Sequence, residues 1–169
     1  MAVSQITTNY SGRQLDVLVA QGAITLGSEN TVVLSITGAP PAKLVAGVQK
    51  AIQRYLNCVL TVLGTVTYSI DYGTRLISSL INNGSALNDP QKAYSVMQDA
   101  TNLALAIMNE DDRDTETYGA IPDDEIISGV QVTDVQADIE SGTLSYTLTV
   151  SFAAGTTVTF LLPAINITG

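Results

Sequence analysis

The last quarter of the chain alternates between apolar and polar residues. Over residues 130–139 the apolar positions include Val130, Val132, Val135 and Ala137. Over residues 143–152 they are Leu144, Tyr146, Leu148, Val150 and Phe152, and over 157–162 they are Val158, Phe160 and Leu162. A period of two belongs to a strand with one face in a core. Ser141-Gly142 reads as a two-residue hairpin turn, and Ala154-Gly155 turns the chain again. The pattern predicts a three-stranded antiparallel meander with one face on helices and a Thr/Ser-rich face outward.

Upstream the period changes. Leu44, Val45, Val48, Ile52, Tyr55, Leu56 and Val59 recur three and four residues apart, which predicts an amphipathic helix over 43–60 with Pro41 at its start. Its other face carries Lys43, Gln49, Lys50, Gln53, Arg54 and Asn57. That mildly basic face is either solvated or set against an acidic neighbour. Residues 66–70 read as a short extended piece and 75–81 as a short helix. Asp89 caps and Pro90 opens a helix over 90–109, with Ala93, Met97, Ala100, Ala104 and Ile107 on its buried face.

Near the N-terminus, residues 1–13 read as a polar arm. Residues 14–20 and 31–37 read as strands around the turn Gly27-Ser28-Glu29-Asn30, ended by Gly38-Ala39-Pro40-Pro41. The predicted fold is therefore α+β: amphipathic helices on a C-terminal three-stranded antiparallel meander, with an N-terminal β arm or hairpin. Residues 1–40 form the arm and 41–169 the domain.

Composition narrows the function classes. Only 14% of the 169 residues are charged, against about 25% in ordinary globular proteins. Less charge leaves less surface suited to water, which points to surface covered by neighbours. The seven basic residues are scattered and the net charge is −9, so nucleic acid is not an expected partner. No apolar stretch approaches membrane-spanning length, and the first residues lack the pattern of a signal peptide, so synthesis in a cytoplasm without export is expected.

No histidine is present, which removes His-based triads and the usual zinc sites. The single cysteine, Cys58, sits in an apolar run and reads as a buried small hydrophobe. Residues 110–125 hold eight acids and one base, Arg113, and so carry seven of the nine net negative charges. Gly119 and Pro122 suggest a loop. Asp112, Asp114 and Glu116 match the start of an EF-hand loop, but Thr117 stands where glycine is required. A looser cation site or a basic-partner contact is the alternative to a solvated loop. A loop this hydrophilic does not raise a carboxyl pKa by burial, so no glycosidase pair is assigned. No catalytic residue, metal or cofactor is expected.

What remains is strand pairing. No charged residue lies between Thr143 and Gly169, whereas free edge strands are usually protected by Lys or a bulge. Strand addition by a partner uses such an edge; the alternative is that these strands are central or covered. The partner-binding candidates are Thr143, Leu144, Tyr146, Leu148, Val150, Phe152, Val158, Phe160 and Leu162. The sequence leaves open whether 143–152 or 157–162 holds the open edge.

The order of elements over residues 41–162 resembles the sheath-initiator family. These are baseplate wedge subunits, some called lysozyme-like, of contractile phage tails, tailocins and type VI secretion systems. The resemblance rests on Leu60-Thr61-Val62-Leu63-Gly64, then Ile70-Asp71-Tyr72-Gly73-Thr74-Arg75-Leu76, a long helix and an alternating hairpin. The family's Glu-Pro-Arg motif before the hairpin is replaced here by the acidic segment, where Glu110 and Arg113 stand without a proline between them. The resemblance implies a structural subunit of the virion's tail baseplate, assembled in the host cytoplasm. Its implied partners are the tail sheath protein, baseplate wedge proteins and the tail tube, with six copies in a ring. Its hairpin would template the first sheath ring by strand addition. Asp71, Tyr72, Gly73, Thr74, Glu110 and Arg113 become candidates for wedge contact. A peptidoglycan-degrading tail component of the muramidase type and another virion connector subunit are the alternatives.

Overall fold

The computed structural model describes residues 16–17, 20–21, 35–36, 44–67, 69–82, 88–116 and 119–166. Its described elements are β1 (Asp16–Val17), β2 (Ala20–Gln21), β3 (Ser35–Ile36), β4 (Leu44–Val45), α1 (Val48–Leu60), α2 (Leu76–Asn82), α3 (Pro90–Glu116), β5 (Ile127–Asp138), β6 (Thr143–Phe152) and β7 (Thr157–Asn166). The fold is α+β, with helices packed on a C-terminal antiparallel meander in the order β5-β6-β7.

The meander follows from its alternation. Every second residue of β6, from Leu144 to Phe152, is buried, and the Thr and Ser between them are half-exposed. The β5–β6 connection is longer than the two-residue turn expected. Asp138 pairs with Thr143, leaving residues 139–142 as the loop. The Asp138 carboxylate accepts the Glu140 and Ser141 amides at 3.0 and 3.3 Å, and Gly142 takes a φ of 66°. An aspartate turning the chain onto a left-handed glycine uses the local chemistry of these residue types.

The helices depart from expectation at both ends of the chain's middle. α1 begins at Val48 rather than at residue 43, because Leu44 and Val45 pair with β1 and Gly47 leaves the helical region at φ 65°. In place of the extended piece expected over 66–70, Ser69 N–H donates to Val66 O at 3.2 Å and Tyr72 N–H to Ser69 O at 3.1 Å, which are turn contacts. α2 and the start of α3 fall where the pattern places them. The Asp89 carboxylate caps α3, accepting the Gln91 and Lys92 amides at 3.1 and 3.2 Å. α3 then runs on to Glu116, so the first half of the acidic segment is helix and not loop. Arg113, in its last turn, donates through Nε to Asn109 O at 3.3 Å and suits the negative end of the helix dipole.

The core lies between the inner face of the meander and the helices. Tyr55, Leu56, Cys58 and Val59 of α1 meet Ala93, Met97, Ala100, Ala104 and Met108 of α3 and the apolar rows of β6 and β7. The polar tips that enter are partnered. Tyr55 Oη lies 2.9 Å from Thr101 Oγ1, and Tyr146 Oη donates to Ala93 O at 3.4 Å. Near the N-terminus, β2 pairs antiparallel with β3. The rest of the expected arm and hairpin, and the division at residue 40, fall outside the described residues.

Candidate partner-binding edge

β6 is the central strand, hydrogen-bonded to β5 on one side and β7 on the other. Its backbone cannot accept a partner. Leu144, Tyr146, Leu148, Val150 and Phe152 point into the core, so five of the expected pairing residues build the platform instead. Thr143 is likewise held between Asp138 and Asn166. The two edges of the sheet are β5 and β7.

They are not equivalent. β5 is bulged twice, between Ile127 and Gly129 and between Val132 and Asp134. It carries Asp134 and Asp138, and α3 packs along it. Bulges and charges are what close a natural edge to pairing. β7 is regular and uncharged from Thr157 to Leu162, and a single bulge follows where Pro163 interrupts the register with β6. A proline has no N–H to offer, so this bulge ends the usable edge. The β7 edge is thus partly protected after all, and its run without charge or bulge is six residues long.

The parity of the β6–β7 ladder decides which backbone groups are free to pair. Phe152 N–H donates to Thr156 O at 2.9 Å, which makes 152 and 156 a hydrogen-bonded pair. Pairs alternate along an antiparallel ladder. Val158, Phe160 and Leu162 therefore bond to Val150, Leu148 and Tyr146, their registered partners. Thr157, Thr159 and Leu161 aim their N–H and C=O away from β6. Among the described residues no strand pairs with that side. Val158, Phe160 and Leu162 anchor the strand through buried side chains, while Thr157 and Thr159 stand exposed on the outer face. Thr159 Oγ1 and Thr149 Oγ1 are 2.9 Å apart there, which ties the edge to the central strand.

The Asp71-Tyr72-Gly73-Thr74 segment fastens the end of α1 to the start of α2. Thr74 N–H donates to Thr61 O at 2.8 Å, and Leu63 N–H donates to Thr74 O at 2.9 Å. Buried Thr74 Oγ1 donates to Val59 O at 2.6 Å and accepts the Leu76 amide at 3.2 Å. Gly73 lies so close that a Cβ there would stand 2.6 Å from Thr61 O, at a φ of +104°. Gly73 and Thr74 are thus used up inside the fold. Asp71 is exposed and Tyr72 half-buried, and Glu110 and Arg113 are exposed on α3.

The basic face of α1 does meet an acidic neighbour, and the neighbour is this chain's own acidic segment. Glu125, only 2% exposed, accepts the Gly47 amide through Oε1 and the Lys50 ammonium through Oε2, each at 2.9 Å. Arg54 Nη1 lies 2.8 Å from Asp112 Oδ1, a charge contact not aligned as a hydrogen bond. Burial raises the Asp111 carboxyl pKa, Arg54 pulls it back, and Asp112, Asp114 and Glu110 push it up again. Asp112 and Glu125 are thus buried and the Asp111 carboxyl is raised, contrary to the expectation of a solvated loop. Among the described residues no three acidic or cysteine side chains converge as metal ligands.

Comparison with protein-family models, curated proteins and solved structures gives no match.

Charge and alternation alone did not separate β7 from β6, because both strands are neutral and regular. Pro163 was the available signal. Within a sheet proline belongs to an edge strand or a bulge, so its place in the third strand's run marks that strand as an edge.

Proposed function

We propose that the chain is a structural baseplate subunit of a contractile tail. It joins wedge to sheath and templates the first sheath ring by strand addition. The observation that carries this reading is the neutral, regular edge of β7 from Thr157 to Leu162, held rigid by the central strand beside it. An added strand gains main-chain hydrogen bonds at Thr157, Thr159 and Leu161 without disturbing the core. The partner is argued from the sequence resemblance over residues 41–162, which points to the extended arms of sheath subunits. In that reading six copies ring the tail tube in the virion's baseplate, after assembly in the host cytoplasm. Exposed Asp71, Glu110 and Arg113 and half-buried Tyr72 are the wedge-facing candidates; Gly73 and Thr74 support them from inside.

Mixing purified chain with sheath subunits tests the reading. Wild-type chain is expected to seed ordered sheath, seen by electron microscopy. Thr159→Pro removes an outward N–H while leaving the backbone bonds to β6, and is expected to abolish seeding. Seeding by Thr159→Pro at the wild-type rate would overturn the assignment of the edge. This variant is a cleaner probe than removal of residues 143–169, which takes away the middle of the core.

A further inference from the structure

We propose that the β7 edge is self-complementary, and that a second copy of this chain closes it through an antiparallel pair centred on Thr159. The inference uses the same edge as the proposed function but stands on the register of that edge. The outward groups belong to Thr157, Thr159 and Leu161, spaced two apart. A two-fold axis beside Thr159 sets Thr157 against the partner's Leu161, Thr159 against the partner's Thr159, and Leu161 against the partner's Thr157. Each is a pair that exchanges both N–H and C=O, so every outward group of one copy meets its complement on the other. The isologous geometry of a two-fold dimer needs this match of a surface with itself.

Charge does not oppose the contact, because no charged residue lies between Thr143 and Gly169. β-Branched Thr159 side chains meet across the axis, a favourable cross-strand pair, and Thr157 lies beside Leu161. The side chains of Val158, Phe160 and Leu162 stay in their own cores. Pro163 and its bulge end the pairing on one side, and the turn at Gly155 ends it on the other. The opposite edge of the sheet, β5, is bulged, acidic and backed by α3. Only one edge per chain therefore pairs, and the assembly closes at two copies instead of growing into a fibre. The contact is one strand wide, which places it among weak, reversible interfaces. Such a dimer guards the edge before assembly, and an incoming partner strand must displace it.

Sedimentation equilibrium of the full chain between about 1 and 500 µM reads this directly. The mass is expected to rise from 17.7 kDa toward twice that value with concentration. Thr159→Lys sets two ammonium groups face to face across the axis, and Thr159→Pro removes the central outward N–H. Both are expected to stay at 17.7 kDa throughout. Gln131→Lys is the control, since Gln131 lies in the same cross-strand row as Thr149 and Thr159 but on the β5 edge; it is expected to dimerise like the wild type. Far-UV circular dichroism checks each fold, and if Thr159→Pro does not fold, Thr159→Lys decides. A wild type of constant single mass overturns the proposal. So do Thr159 variants that dimerise normally, or a Gln131 variant that dissociates. A monomeric wild type that still seeds sheath refutes the dimer alone; a dimer that leaves sheath unseeded refutes the functional reading alone.

Discussion

Replacing Glu125 by alanine tests the internal use of the acidic segment. Gly47 opens α1 without any side-chain cap of its own. The cap comes from Glu125, 78 residues away, whose Oε1 takes the Gly47 amide while Oε2 takes Lys50. The Glu125 and Lys50 side chains are only 3% and 12% exposed. Loss of a charge-assisted hydrogen bond costs about 1.5–3 kcal/mol, and breaking a buried ion pair by removing one partner costs about 3–5 kcal/mol. These overlap, and the lysine stem is able to carry its ammonium outward, so the expected loss is about 3 kcal/mol. Asp112→Ala is the comparison. Its pair with Arg54 is more exposed, at 11% and 26%, and lacks an aligned hydrogen bond, so about 1 kcal/mol is expected. Urea unfolding followed by circular dichroism measures both. In a double-mutant cycle, Lys50→Met combined with Glu125→Gln should cost clearly less than the sum of the two single changes. A Glu125→Ala loss under about 1 kcal/mol, or no larger than that of Asp112→Ala, would refute the reasoning.

Two further outcomes follow from geometry and titration. Gly73→Ala is expected to cost about 3 kcal/mol in a thermal or urea melt, combining a positive φ with a Cβ 2.6 Å from Thr61 O. Gly64→Ala, at φ +84° but in open space, is expected to cost only about 1 kcal/mol, so equal losses would show that the close approach does not matter. At high pH, burial pushes the Tyr146 hydroxyl from 10.0 up to about 12, and burial also raises Tyr55. The folded state thus holds protons that the unfolded state releases. That stability is complete below pH 10 and is lost as pH rises from 10 toward about 12. Urea midpoints should fall across that window, and Tyr146→Phe should make the fall shallower; a decline as steep as the wild type's would rule out Tyr146 as its source.

Much of the fold was legible in the sequence because its main signal is local. Alternation over residues 143–152 needs no knowledge of neighbours to report a strand with one buried face, and the same holds for Asp89-Pro90 as a helix start. What the sequence hid depends on distant contacts. Leu44 and Val45 fit the helical spacing of α1 but are drawn into a pair with β1, and Gly47 then separates them from the helix. The acids at 110–116 look like loop residues by composition, yet α3 continues through them while Asp112 meets Arg54. Strand order was hidden for a similar reason. A neutral alternating strand reads the same at the centre of a sheet as at its edge, and only Pro163 distinguishes the two.

The distribution of charge and the choice of edge are connected. The acids of the segment before the meander are drawn to α1, where Lys50 and Arg54 hold Glu125 and Asp112. The chain then enters the sheet at β5, the strand that keeps Asp134 and Asp138 and both of its bulges. By the time the chain reaches β7 there is no charge left to repel a neighbour and no irregularity before Pro163. Among the described residues one edge is closed and one is unpaired, and the unpaired one is reached last. In the proposed role, a sheet built this way would accept a strand on a single side, which would give pairing a direction. Direction is what separates ordered templating from the aggregation that two open edges would allow.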